Sequence, residues 1–441
     1  NFEKEINGKK FFYVKKKISP AKLEKIKLLG EKSFKEEENI ARVYPNGNLF
    51  SHILGQIDTD NNGVSGIEKS FDYELTTSNK PLKLSLDTEI QYLIREELLK
   101  FQEIFNSYGS TAILMNVNSG EIISMVSIPD FDLNKREDIS DKKFINRSTK
   151  GVYELGSVFK TFTLAAGLQQ NVIQEDTLFK NLPKKIKCAG RSISEYDMDI
   201  PSSLTAEEIL IRSGNIGSIK IAQKVGLENF KDFLENLDLL NKIQFDIEEV
   251  GNPIPFKWGK CKLATSAYGH GITTTPLQAT TLYASITNGG ILIKPSLIKN
   301  RNKNNSKKII SEETSKEVTN ILREVVRSKN GTASLADKEG YYVGGKTGTA
   351  ESYGNKKSRL NSFISVFPTN KPKYSLLVML ENPKLNKELI YDYRGIKTKA
   401  PYNTSGWNSV YVAGKIIEKI GPILAINNDE FLNQHVVEKF N

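Results

Sequence analysis

The stretch Gly156-Ser-Val-Phe-Lys-Thr-Phe-Thr-Leu-Ala-Ala-Gly167 sets one lysine among apolar and hydroxyl residues. Ser157 and Lys160 are three apart, so on a helix their Cβ atoms share a face about 5–6 Å from one another. Gly156 puts the serine at the helix N-terminus, where free backbone N–H groups favour developing negative charge. Phe159, Phe162, Leu164 and Ala165 surround the amine with hydrocarbon, and a desolvated amine loses part of its preference for the charged form. A neutral lysine beside a hydroxyl can activate a serine nucleophile without any histidine. The spacing alone is not distinctive. It recurs at Ser19–Lys22, Ser140–Lys143 and Ser296–Lys299, in charged or loop-like surroundings where a solvated lysine is the expectation.

Two further groups follow in the chain. In TAEEILIRSGNIGSIKIAQKVG a capping box, Thr205 to Glu208, opens a short helix that breaks at Ser213-Gly214-Asn215 before a second helix runs to Gly226. A hydroxyl and an amide two residues apart on such a turn can both point into a cleft. The bland reading is an ordinary helix–helix turn, and Ser328-Lys-Asn330 shows the spacing arising elsewhere. The third group is Gly344-Gly-Lys346-Thr347-Gly348-Thr349-Ala350. Its glycines let a ligand lie against a strand backbone, and Lys346, Thr347 and Thr349 can hold a carboxylate by charge and hydroxyl donors. Gly340 to Thr347 also matches the P-loop pattern GxxxxGK[ST]. A P-loop needs a strand before the motif and a helix after it, however, and TGTAESYGNKKSRL carries no helical stripe. Nucleotide binding is the competing reading.

These groups need elements to position them. LKLSLDTEIQYLIREELLKF predicts a strand, an Asp87/Thr88 cap and an amphipathic helix with Ile90, Leu93, Ile94 and Leu98 on one face. STAILMNVNSGEIISMVS predicts a hairpin turning at Asn118-Ser119-Gly120. The C-terminal third supplies strands in YYVGGKTGTA, SFISVFP and YSLLVML and a closing helix from about Ser409. Strands at both ends with helices between predict an α+β architecture, one antiparallel sheet completed by the C-terminus and flanked by a helical subdomain. Residues 1–40 are Lys/Glu-rich, with a Ser19-Pro20 helix start closed by Gly30, and 42–75 are rich in turn signals that suggest short strands and loops. The expected division is a partial N-terminal domain over 1–80 and a catalytic domain over 81–441.

Composition narrows the remaining classes. A balance of 62 Lys+Arg against 52 Asp+Glu gives +10, which suits an anionic partner, but the excess is spread along the chain. Patches such as 299–308 read as solvated loops, and no nucleic-acid partner is expected. Three histidines without an HExxH pattern argue against a dedicated metal site, and no cofactor is called for. Cys188 and Cys261 read as structural free thiols, with a single bridge between them as the alternative. The longest stretch without a formal charge, Leu263 to Ile293, holds Gly, Thr, Asn, Ser and Pro and is not a membrane span. No signal peptide opens the chain, and Asn1 is expected to lie inside a larger protein.

Ser157/Lys160, Ser213/Asn215 and Lys346/Thr347/Gly348, in that order, form the triple signature of penicillin-binding proteins and class A β-lactamases. No GxSxG elbow occurs, and the deacylating glutamate of an ExxLN stretch is missing between Ser213 and Lys346. The chain resembles class B penicillin-binding proteins, peptidoglycan D,D-transpeptidases, and most nearly the FtsI (penicillin-binding protein 3) division type. The resemblance extends to RVYP, HILG, GVSGIEKSFD, NVNSGEIISMVS, YGHGITTTPLQA and YNTSGWNSVYVAGKIIEKI. The usual proline before Gly-Ser is Leu155, an Ala-Pro before the last helix reads Tyr411-Val412, and an early RGxIxDRNG-type motif is absent.

That resemblance implies a pedestal domain at the N-terminus and a penicillin-binding/β-lactamase-like catalytic fold. It implies that Lys160 takes the proton of Ser157, which attacks the carbonyl between two D-alanines of a stem peptide. Backbone N–H groups of Ser157 and Thr349 form the oxyanion hole, and Ser213 relays a proton between the two lysines. Asn215 holds the substrate amide, while Lys346, Thr347 and Thr349 hold its terminal carboxylate. Also implied are β-lactams as inhibitors, an FtsW-type glycosyltransferase and other divisome proteins as partners, and a periplasmic catalytic domain anchored in the cytoplasmic membrane by a helix outside this sequence. The alternatives are an elongation-type transpeptidase, a D,D-carboxypeptidase and a β-lactam sensor with the same site.

Overall fold

The computed structural model describes residues 7–8, 10–15, 18–37, 41–135, 141, 144–301, 307–352 and 358–426. The Ser140–Lys143 spacing, the 299–308 patch and the link after Ser352 therefore fall partly outside the described residues, as do the two ends of the chain. Asp87 starts the first long helix, α1 (Thr88–Ile104), by accepting the Ile90 N–H at 3.0 Å. The helix buries Ile90, Ile94, Leu98 and Phe101. The stretch before it is not a sheet strand. Leu84 makes one isolated bridge, to Ile298, and Ser85 Oγ donates to the Ile122 and Ser296 carbonyls.

β1 (Gly109–Asn116) and β2 (Ile122–Ile128) form the early hairpin. A long helical insertion follows: α2 (Lys160–Gln169), α3 (Ala206–Ile211), α4 (Asn215–Val225), α5 (Pro276–Thr287) and α6 (Glu312–Arg327). The chain then returns through β3 (Gly344–Ser352), β4 (Ser358–Phe367) and β5 (Tyr374–Glu381) and ends in α7 (Ser409–Ile426). The five strands lie in the order β2-β1-β5-β4-β3, all antiparallel. Pairing of β1 with β5, Ile113 opposite Leu377, is what joins the two ends of the chain in one sheet.

α1 and α7 cover one face of the sheet; α5 and the turn before α2 cover the other. This is why the run of five apolar residues in β5 does not alternate with polar ones. Leu376, Leu377, Val378, Met379 and Leu380 are all fully buried, since successive side chains point to opposite faces and both faces are dry. β3 is an edge strand whose outer side is met by helices and turns instead of a sixth strand. Among the described residues, no helix is long and apolar enough to cross a membrane.

Two regions depart from the sequence expectation. The turn-rich segment after Arg42 builds three short helices, Ser51–Leu54, Gly66–Ser70 and Asp72–Thr77, and one isolated bridge, Ile57 to Gly63, where short strands were expected. Two of its glycines serve helix ends: Gly66 begins one helix with φ +61°, and Gly55 closes another at +76°. The cysteines are not free thiols. Cys188, at the end of the strand Lys185–Cys188, is joined by a disulfide to Cys261 with a Cα–Cα distance of 5.8 Å. A separation of 73 residues carries no sequence signal for such a pairing; only the fold brings the two together.

Closing so long a loop constrains the unfolded chain, and loss of a bridge of this kind costs roughly 2–5 kcal/mol. Reduction with dithiothreitol, or the Cys188→Ser/Cys261→Ser pair, is expected to lower the thermal unfolding midpoint by several degrees. Identical melting curves with and without reductant would remove the bridge from the account of stability.

Candidate active site

The serine turn is built against the edge strand. Gly156–Phe159 is a 3-10 turn, and Lys160 opens α2 directly behind it. Gly156 has φ +58°, and a Cβ there would stand 2.6 Å from the Thr349 carbonyl oxygen. A Cβ on Gly348 would stand 2.2 Å from the Leu155 carbonyl oxygen. Glycine at both positions lets the backbone of the turn lie directly on the backbone of β3. Ser157 is thereby fixed, half-buried, beside Thr349. Along β3 the side chains alternate. Lys346 and Gly348 project to the side of α2, while Thr349 Oγ1 lies 2.8 Å from Ser405 Oγ on the other side.

Ser213 stands at the centre. Its backbone is left-handed, φ +57°, on the turn between α3 and α4. Lys346 Nζ donates to Ser213 Oγ at 2.9 Å; Lys160 Nζ donates to the same oxygen at 3.2 Å and to the Ser213 carbonyl at 2.5 Å. Both lysines are buried, 1% and 0% exposed. The other described SxxK lysines, Lys22 and Lys299, are exposed, and Ser296 is taken up by Asp246 at 2.8 Å. Burial pulls the Lys160 amine down to about 7, partly offset by the negative charge of Glu195. Lys346 is pushed well below the usual lysine range by burial and by Lys160 beside it. Ser157 Oγ makes no hydrogen bond among the described residues, so in this arrangement the Lys160 amine is turned to Ser213 and not to Ser157.

The remaining sequence-singled residues fall around this centre. Asn215, the first residue of α4, donates from Nδ2 to the Ser194 carbonyl at 2.9 Å. Thr347 Oγ1 lies 3.0 Å from Thr332 Oγ1 and accepts from Lys346 at 3.3 Å. Ser405 Oγ donates to the Gly348 carbonyl. The P-loop alternative fails on the same geometry. Lys346 sits inside a strand with its amine buried against Ser213, where a phosphate-binding lysine must project from a loop at a helix N-terminus. Thr332 and Glu195 carried no readable signal in the sequence, and Ser405 falls within the quoted stretch YNTSGWNS without a role of its own there. Each acts through a contact distant in the chain. Glu154, just before the turn, pairs with His270 at 3.3 Å; burial opposes its ionisation, but hydrogen bonds from His270 and the Gly271 N–H hold it below the usual carboxylate range.

Residues 110–403 match the family profile of the penicillin binding protein transpeptidase domain. The probable peptidoglycan D,D-transpeptidase FtsI of Caulobacter vibrioides is 31% identical over 428 residues, covering 93% of this chain and 70% of that protein. The FtsI of Escherichia coli K12, named a peptidoglycan D,D-transpeptidase, is 27% identical over 89% of this chain and 70% of its own length. In fold, the chain superposes on penicillin binding protein 3 of Mycobacterium tuberculosis with a TM-score of 0.74 at 23% identity, covering 86% of this chain and 91% of that one. The chain belongs to the penicillin-binding-protein transpeptidases. Within them it is of the class B, FtsI type.

Gly156→Ala tests the contact between turn and strand. The new Cβ meets the Thr349 carbonyl and φ is unfavourable for it, so the turn is displaced by about an ångström. Labelling of the protein by a fluorescent penicillin is expected to slow on the order of 100-fold while the folded state persists. Labelling at the wild-type rate would contradict the contact's role.

Proposed function

We propose that the chain is a serine D,D-transpeptidase that cross-links peptidoglycan stem peptides through an acyl-enzyme on Ser157, in septal wall synthesis. The observation that carries this reading is the Ser213 hydroxyl held between two buried lysines beside the serine turn. A lysine brought to about pH 7 by burial is neutral often enough to act as a base at physiological pH. Ser157 and Lys160 are nearly eclipsed across one 3-10 turn, so a side-chain rotation swings the amine from Ser213 to the nucleophile.

In the first half-reaction Ser157 Oγ attacks the carbonyl between two D-alanines, and its proton passes to Lys160. The oxyanion faces the Ser157 and Thr349 N–H groups, where one donor lowers the barrier by roughly 2.7–4 kcal/mol. The C–N bond then breaks, and the departing amine of D-alanine takes a proton that travels from lysine through Ser213. In the second, the amine of a neighbouring stem attacks the ester carbonyl, and its proton returns through the same relay as Ser157 leaves. Asn215 is oriented by the Ser194 carbonyl so that Oδ1 faces a substrate N–H. An arriving carboxylate restores the proton affinity of Lys346 and is held with Thr347 and Thr349.

The same reading includes β-lactams as acylating inhibitors, a division into a pedestal over 1–80 and a catalytic domain over 81–441, and a site on the periplasmic side of the cytoplasmic membrane. It also includes an FtsW-type glycosyltransferase and other divisome proteins as partners.

Intact mass after incubation with benzylpenicillin is the test. A stable adduct of one drug per chain is expected on wild type and none on Ser157→Ala; equal modification of both overturns the assignment. With pentapeptide donors and an amine acceptor, cross-linked dimer is expected in excess over free D-alanine released by water. Release of D-alanine alone would make the protein a carboxypeptidase.

A further inference from the structure

The turn that presents Ser213 and Asn215 is held from outside by a carboxylate that the motifs do not include. Glu195 follows the short hairpin Lys185–Cys188/Arg191–Ser194 and is 7% exposed. Its Oε2 accepts the Asn215 N–H at 2.6 Å and its Oε1 accepts the Ile216 N–H at 2.8 Å. These are the first two N–H groups of α4, which have no partner inside the helix. The residue just before it, Ser194, accepts the Asn215 side chain at 2.9 Å. Oε1 also lies 3.8 Å from where a Cβ on Gly214 would stand, so the carboxylate lies along the turn from Gly214 to Ile216.

We propose that Glu195 is a positioning residue for acylation, fixing the Ser213–Asn215 turn through two backbone N–H groups and placing a negative charge behind the turn on which the Lys160 amine ends. The proposal rests on the acyl-serine reading above.

Three observations bring the two roles together in one group. A carboxylate this deeply buried needs paired donors, and both of its oxygens are spent on the turn instead of on an arginine or lysine. Among the described residues the ionisable group acting on the Lys160 amine is Glu195, while Lys346, from β3, is itself lowered by Lys160. Asp197, the next acid along the chain, is turned away to Arg212 at 3.1 Å. Among the described residues Glu195 is therefore the negative charge acting on Lys160, and it stabilises the ammonium form against burial. Its hairpin is in turn tied through Cys188 to Cys261, the residue before the short helix Lys262–Ser266, which packs against α4.

The direction of the electrostatic effect follows. Glu195 raises the proton affinity of Lys160, and acylation needs the neutral amine, so its removal shifts the rising limb of the acylation–pH profile to lower pH. The experiment is the second-order rate of acylation by a chromogenic cephalosporin between pH 5 and 9 for wild type, Glu195→Gln and Glu195→Asp, with intact mass confirming the site. Glu195→Gln keeps the shape but offers an amide to one N–H. It is expected to acylate at least tenfold more slowly on the plateau, with its limb moved down by at least half a pH unit. Glu195→Asp keeps the charge but is one methylene too short to reach both N–H groups. It is expected to lose rate with the limb in its wild-type place.

A limb that stays at the wild-type pH in Glu195→Gln, at whatever rate, overturns the proposal, because a merely structural role would lower the rate without moving it. Should Glu195→Gln not fold, a wild-type rate in Glu195→Asp overturns it instead. Wild-type protein that is never acylated overturns the functional reading and this proposal with it. Acylated wild type with unaltered variants overturns this proposal alone.

Discussion

Two ammonium groups cannot be buried side by side at ordinary cost, yet Lys160 and Lys346 both end on the one hydroxyl of Ser213 with almost no exposure to water. The site resolves the conflict by lowering the proton affinity of both amines, so that a proton is shared between them more easily than two are held. Ser213 Oγ is then more than a spacer. It accepts from both amines, and this shared acceptor is what the proposed proton relay between the two lysines rests on. The rest of the structure serves to keep three side chains from three separate elements at this one point.

Each element is fixed by a different device. Lys160 is held by α2, whose first turn lies on the edge strand because glycine occupies both sides of the contact. Lys346 is held by β3, whose register is set by β4, Lys346 opposite Ile364. Ser213 is held in a left-handed backbone conformation between α3, capped by Thr205 and Glu208, and α4, capped from the hairpin by Glu195. A left-handed non-glycine residue costs on the order of 1–3 kcal/mol, so the turn persists only because its surroundings over-determine it. The sheet beneath is buried on both faces and gives the edge strand a rigid base.

What was legible in the sequence was whatever local pattern encodes. The Asp87 cap, the Thr205–Glu208 box, the hairpin at Asn118-Ser119-Gly120 and the break at Ser213 all depend on residues within a few positions of one another, and all are present. The apolar surroundings of Lys160 separated it from the exposed Lys22 and Lys299 for the same reason. Long-range contacts were not legible. Cys188 finds Cys261, and Asn215 finds Ser194 and Glu195, only once the helical insertion has folded. Turn residues after Arg42 were read as strand punctuation because glycine ends helices and strands alike. The segment before Asp87 has strand-like alternation without a neighbouring strand to pair it.

The central claim is that Lys160, made a base by burial, activates Ser157. Its most direct test is the pH dependence of wild-type acylation by a β-lactam whose own chemistry does not change between pH 5 and 9. Because the neutral amine is the active form, the rate is expected to rise with pH and level off, with a midpoint near 7. A rate that is flat over this range, or that climbs only towards the ordinary lysine value of about 10.4, would contradict the claim.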